Sequence, residues 1–149
     1  MRLKYWVTKK PSQTKKMGET LAKKILRTKK GPRIFGLEGD LGGGKTTFLQ
    51  GFAKGLGIKE KILSPTFVLM RRFQILNSKF KNLYHIDCYR ISKTKEILGL
   101  GFKKIISSSQ NIVAVEWADH IRKIMPKKTI WLNFELVDKK KRKITTKHG

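Results

Sequence analysis

The sequence predicts a three-layer α/β domain, with a mainly parallel sheet, one antiparallel hairpin, and helices on both faces. Three observations carry that expectation. Ile112 to Val115 is an uninterrupted run of β-branched and small apolar residues, the pattern of a strand buried on both sides. Amphipathic helical segments alternate with strand-like ones along the chain. A glycine-rich turn links the apolar run Ile34 to Leu37 directly to a helical segment. At 149 residues the chain fits one domain, 1–149, large enough to bury a core without disulfides or structural metal.

The elements follow in order. Arg2 to Thr8 has β character, with Leu3, Tyr5 and Val7 on one face of a period-2 pattern, and Pro11 and Ser12 then punctuate. From Thr14, apolar Met17, Leu21, Ile25 and Leu26 recur at helical spacing until Gly31-Pro32, which predicts an amphipathic helix of about four turns with its lysines in water. Ile34 to Leu37 reads as a strand and Thr46 to Leu56 as a helix, closed by Gly57 in a left-handed cap. Ser64-Pro65 opens an extended segment, Thr66 to Ile75, that turns at Asn77-Ser78 into Phe80 to Asp87 as a hairpin. A short helical stretch around Glu96 to Leu98 stops at Gly99 and Gly101, before Phe102, Ile105 and Ile106. Ala118 to Met125 forms a brief helix ended by Pro126, Thr129 to Val137 is expected to be the last strand, and Lys139 to Lys143 a turn or fraying tail.

Composition narrows the function classes. Cys88 is the single cysteine, so no disulfide forms within the chain, and the N-terminus lacks the pattern of an export signal. No stretch approaches the roughly 18 uninterrupted apolar residues of a membrane helix. The expectation is a cytoplasmic, soluble protein. Thirty-five Lys and Arg against ten Asp and Glu give a formal charge of +25. Such a balance points to nucleic acid or to a solvated lysine surface. Only eight of the cations are Arg, and compact lysine clusters occur at Lys9-Lys10, Lys15-Lys16, Lys23-Lys24, Lys29-Lys30 and Lys139 to Lys143.

The chemistry concentrates in Gly39-Asp40-Leu41-Gly42-Gly43-Gly44-Lys45-Thr46, which has the Walker A spacing between a strand and a helix. Small residues let backbone N–H groups converge on phosphate oxygens, and the following helix offers its positive end. Lys45 then serves the β- and γ-phosphates, and the Thr46 hydroxyl serves Mg²⁺. A P-loop also needs a strand-end acid, and there are two candidates. Glu116 follows Ile112 to Val115 in the Walker B manner, and Asp87 ends the strand Leu83 to Ile86. Hydrolysis would place one on the metal and use the other to orient the attacking water. His85 reads as a core histidine hydrogen-bonded to backbone, and Cys88 as an inert, semi-buried thiol.

Laid out in this order, the residues resemble the TsaE family, the small bacterial ATPase of tRNA threonylcarbamoyladenosine modification, over nearly the whole chain. Thr14, Met17-Gly18 and Leu21 are similar to the family's first helix, and Glu38 to Thr47 to its P-loop. Ser64-Pro65-Thr66-Phe67 resembles its switch-like loop, and His85-Ile86-Asp87-Cys88-Tyr89-Arg90 its most diagnostic stretch. Glu96, Leu98-Gly99, Val115-Glu116-Trp117 and Arg142 before Ile144 complete the set. Gly43 departs from it, standing where the family usually has alanine.

The resemblance implies ATP, with ADP as product, held by Gly39 to Thr47, and Mg²⁺ held by Thr46 and Glu116. It implies Asp87 beside the γ-phosphate, and Thr14 and Arg142 bordering the adenine. It also implies an ATPase that is slow alone and acts with two paralogous partners, one of them the transferase that makes the modified adenosine next to the anticodon. The lysine excess leaves a direct tRNA contact open. Two rival readings use the same loop. A small-molecule kinase usually carries an acceptor-binding insertion and an Arg-bearing lid, and neither is visible between Gly57 and Arg90. A basic RNA-binding module with a non-catalytic P-loop finds no RNA-binding fold signature.

Overall fold

The computed structural model describes residues 4–28, 33–63, 68–76 and 78–148. The expectations for Arg2, Leu3, Gly31-Pro32, the 64–67 switch-like loop and Asn77 lie outside these residues. Seven strands form one sheet in the order β1-β7-β6-β2-β5-β4-β3. They are β1 (Lys4–Thr8), β2 (Ile34–Gly39), β3 (Met70–Gln74), β4 (Asn82–Asp87), β5 (Asn111–Glu116), β6 (Ile130–Leu136) and β7 (Arg142–His148). The helices are α1 (Pro11–Arg27), α2 (Lys45–Gly55), α3 (Lys95–Leu98) and α4 (Phe102–Ser107), with a 3-10 helix over Ala118–Ile124. No helix among the described residues is long and apolar enough to cross a membrane.

The sheet is mixed, with more antiparallel pairing than the single hairpin expected. β6, β2, β5 and β4 run parallel, while β7, β1 and β3 pair antiparallel at the flanks. The predicted β3–β4 hairpin is present. The turn expected over Lys139 to Lys143 is present at Lys139 to Lys141, but Arg142 and Lys143 already belong to a further strand, Arg142–His148, which pairs with both β6 and β1. Its lysines concealed it, because among its described side chains only Ile144 is buried, in an otherwise polar run. The face predicted for β1 is likewise not a core face, since Tyr5 and Val7 are exposed. α1 begins earlier than expected, at Pro11, where proline's missing N–H costs the first turn nothing.

Strand alternation divides the core between the two sides of the sheet. Phe35, Leu37, Ile112, Ala114, Leu132 and Phe134 pack with α1 and α2. Ile34, Val113, Val115 and Trp131 pack with α3, α4 and the 3-10 helix on the other side. Phe48 and Phe52 anchor α2 and stack with centroids 6.3 Å apart. Each contributes about 1.5–3 kcal/mol by burial, and truncating Phe52 to alanine would cost about 3–5 kcal/mol. α1 and α2 touch through glycines: a Cβ at Gly18 would lie 2.2 Å from the Phe48 carbonyl oxygen, and one at Gly51 1.8 Å from that of Lys15. This contact fixes the helix that begins at Lys45.

Candidate functional site

The carboxyl ends of three parallel neighbours, β2, β5 and β4, open at one edge of the sheet. Loops at such an edge are where open α/β sheets bind ligands. The 39–44 loop leaves β2 here with positive φ at Gly39, Gly42 and Gly44, angles that favour glycine, and delivers the chain into α2. The first turn of α2 presents N–H groups that have no acceptor within the helix.

Both sides of the loop are held by the β6–β7 hairpin. The Asp40 carboxylate accepts the Leu136 N–H at 3.0 Å, and Arg142 Nε donates to the Gly42 carbonyl at 2.9 Å. Gly39 and Gly43 lie against Phe134, where a Cβ would meet its carbonyl oxygen at 2.1 and 3.1 Å. Thus Gly39, Asp40 and Gly43 support the loop, and the cavity lining itself is made by others.

That cavity, of about 740 Å³, is lined by Thr14, Leu41, Gly42, Gly44, Lys45, Thr46, Thr47, Asp87, Glu116 and Arg142 among the expected residues. Lys45 is buried; its ammonium donates to the carbonyls of Gly39 (2.9 Å) and Asp40 (2.7 Å) and lies 4.1 Å from the centre of the Trp117 ring. Burial holds its pKa below the ordinary lysine value, against the upward pull of Glu116, Asp119, Asp40 and Asp87. Thr46 Oγ1 donates to Glu116 Oε1 at 3.0 Å. The register pairs Asp87 with Glu116 on adjacent strands, so the two acids stand side by side. Burial raises the Asp87 pKa and the charge of Glu116 adds to this, while the Tyr89 N–H, 2.9 Å from Oδ1, opposes it. Thr14 is buried at the cavity wall and shares a 2.8 Å hydroxyl contact with Thr8.

The donor set suits a hard cation and a polyphosphate. A hydroxyl and a carboxylate meet at Thr46 and Glu116, and Mg²⁺ takes oxygen ligands. A Cβ at Gly42 would meet nothing within 4 Å, so the loop is open on its cavity side.

Several contributors escaped the sequence reading. His85 is not bonded to backbone as expected: its Nε2 lies 2.6 Å from Glu116 Oε2. Trp117 adopts a left-handed φ of 55° and packs at a tilt against Tyr89, centroids 5.0 Å apart, to wall the cavity. Lys9, Lys10, Lys139 and Lys140, from clusters at the two ends of the chain, meet at its mouth. Adjacency of β4 to β5 and of β1 to β7 was needed to see these groupings. Cys88 is fully buried, beyond the semi-burial expected.

The family model described as threonylcarbamoyl adenosine biosynthesis protein TsaE matches residues 8–144. The tRNA threonylcarbamoyladenosine biosynthesis protein TsaE of Bacillus subtilis is 36% identical over 140 residues, 94% of this chain and 82% of that protein. Its namesake from Borreliella burgdorferi is 40% identical over 106 residues, 70% and 74% of the two chains. That from Haemophilus influenzae is 33% identical over 124 residues, 83% and 74%. Among solved structures, that of Bacillus subtilis YdiB superposes with a TM-score of 0.71 at 31% identity, covering 99% of this chain and 87% of that one. With a family match spanning almost its whole length and relatives above 30% identity, the chain belongs to the TsaE family of threonylcarbamoyladenosine biosynthesis proteins.

Proposed function

We propose that this chain is a P-loop NTPase that binds ATP with Mg²⁺ and hydrolyses it within the tRNA threonylcarbamoyladenosine machinery. It works there with the modifying transferase and that enzyme's paralogous companion, in the cytoplasm. The observation that carries the reading is the convergence of Lys45, Thr46, Asp87 and Glu116 on one cavity beside the 39–44 loop. Gly42, Gly44 and the first turn of α2 would receive the phosphates. Lys45 would leave its carbonyl partners for the β- and γ-phosphates, whose charge compensates the burial that now lowers its pKa. Thr46 and Glu116 would hold Mg²⁺, which neutralises phosphate charge when bound. Asp87 would orient the attacking water, and Thr14 and Arg142 would border the adenine.

Nucleotide binding and turnover, measured with both partner proteins present, test this directly. Lys45→Ala and Glu116→Ala should each lower turnover by about 100-fold or more. Unchanged turnover in both variants would defeat the mechanism.

Direct tRNA contact is favoured by one specific observation, the meeting of Lys9, Lys10, Lys139 and Lys140 at the cavity mouth. Affinity for tRNA should then fall steeply with salt as phosphate contacts release counterions. A flat salt response would reduce these lysines to surface charge.

A further inference from the structure

We infer that His85 is a positioning residue: by holding one oxygen of Glu116 it aims the other at Thr46 and at the cation the two would share. The inference deepens the Mg-ATP reading above and rests on it. His85 and Glu116 are 1% and 2% exposed, so each needs a partner inside the protein. They supply one another: Nε2 lies 2.6 Å from Oε2, while Oε1 accepts the Thr46 hydroxyl at 3.0 Å. The carboxylate is thereby bound from two sides, by a strand on one and by the start of α2 on the other.

The register explains how the imidazole reaches. His85 stands opposite Ala114, two residues before Glu116 on β5, and so on the same face of the sheet. Alanine leaves space through which the ring extends toward the carboxylate. Among the described residues, His85 Nδ1 is buried with no hydrogen-bond partner. A carboxylate only accepts, so the proton belongs on Nε2, and Nδ1 keeps a bare lone pair. A buried N–H with nothing to receive it would be the costlier choice. The pairing thus calls for one tautomer, with the imidazole as donor and the carboxylate as acceptor, the arrangement by which outer partners orient metal-binding groups.

The test reads metal dependence, separately from turnover. Affinity for a fluorescent ATP analogue is measured in EDTA and across a Mg²⁺ titration for native protein, His85→Phe, His85→Gln and His85→Asn. Affinity in EDTA should stay within about twofold throughout, because the phosphate contacts are intact. Half-saturation by Mg²⁺ should rise about tenfold or more in His85→Phe and His85→Asn. It should return to within about threefold of native in His85→Gln, whose amide reaches as far as Nε2.

Native metal dependence in His85→Phe would overturn the proposal, as would a fall in EDTA affinity that matches the fall in Mg²⁺. If the Phe variant does not fold, the Gln and Asn pair decides, and equal half-saturation in both overturns it. Nitrogen NMR of the native imidazole should show the proton on Nε2, and a proton on Nδ1 would overturn it too. Failure of the parent reading looks different: native protein would bind no analogue, or bind it equally with and without Mg²⁺.

Discussion

Replacing Gly51 by alanine tests whether the contact between α1 and α2 sets the position of the candidate site. A Cβ at Gly51 would stand 1.8 Å from the Lys15 carbonyl oxygen and 2.5 Å from its carbon. An ordinary carbon–oxygen contact is about 3.3 Å, so the helices must part by roughly 1.5 Å. Both colliding groups are main chain, so no side-chain rotation relieves them. Overpacking of this kind costs about 1–3 kcal/mol, here at the upper end, and alanine's better helix propensity returns about 0.5–1 kcal/mol. The net loss is about 2 kcal/mol, a drop of about 4–8 °C in Tm for a chain of this length. Because α2 carries Lys45 and Thr46, a displacement near 1 Å should also cost turnover about 100-fold. Calorimetry and nucleotide turnover measure the two effects. The control is Gly99→Ala, at φ −64°, where a Cβ would meet nothing closer than the Lys95 carbonyl oxygen at 3.4 Å; it should be neutral or stabilising by about 0.4–1 kcal/mol. A Gly51→Ala protein that melts at or above the native temperature would refute the reasoning.

Two further outcomes follow from half-buried Asp87 and buried Cys88. Asp87→Asn keeps an acceptor for the Tyr89 N–H while removing a carboxylate whose burial raises its pKa. A raised native pKa contributes stability below the unfolded value near about 3.9 that is lost as pH rises through the native one. The ligand-free variant should therefore melt above the native protein at pH 7, with the gap closing toward pH 4, while hydrolysis is lost; a variant less stable at pH 7 would contradict this. Burial pushes the Cys88 thiol up to about 12, so it should resist alkylation at pH 8 in the folded protein and react promptly in denaturant. Equal rates in both conditions would show that the thiol is not enclosed.

The central part of this molecule is legible from local signals because its patterns are local. Ile112 to Val115 announces a strand buried on both faces, and glycine spacing before Lys45 announces the loop. Lys45, Thr46, Asp87 and Glu116 are named by motif and strand-end position, and the fold gathers them into one cavity. What stayed hidden depends on pairing between distant segments. β7 sets Ile144 among Arg142, Lys143, Thr145, Thr146 and Lys147, so nothing local separates it from a tail. His85 looks like any core histidine until β4 lies beside β5 and brings Glu116 within reach. Asp40 sits inside the motif yet serves the β6–β7 hairpin, a role visible only once Leu136 is beside it.

The placement of β1 at one edge, hydrogen-bonded to β7, has a consequence for vectorial synthesis. Lys4 and Thr146 are register partners 142 residues apart, so β1 leaves the ribosome long before the strand on which it docks. The Arg142 clasp on Gly42 spans 100 residues and closes at the same late moment. Closure over such separations is slow, because the loop entropy is spent before any contact repays it. A nascent chain halted before Arg142 would therefore carry the complete glycine loop without its Arg142 clasp and with β1 still undocked, and the loop would reach its final bracing only when β7 is made.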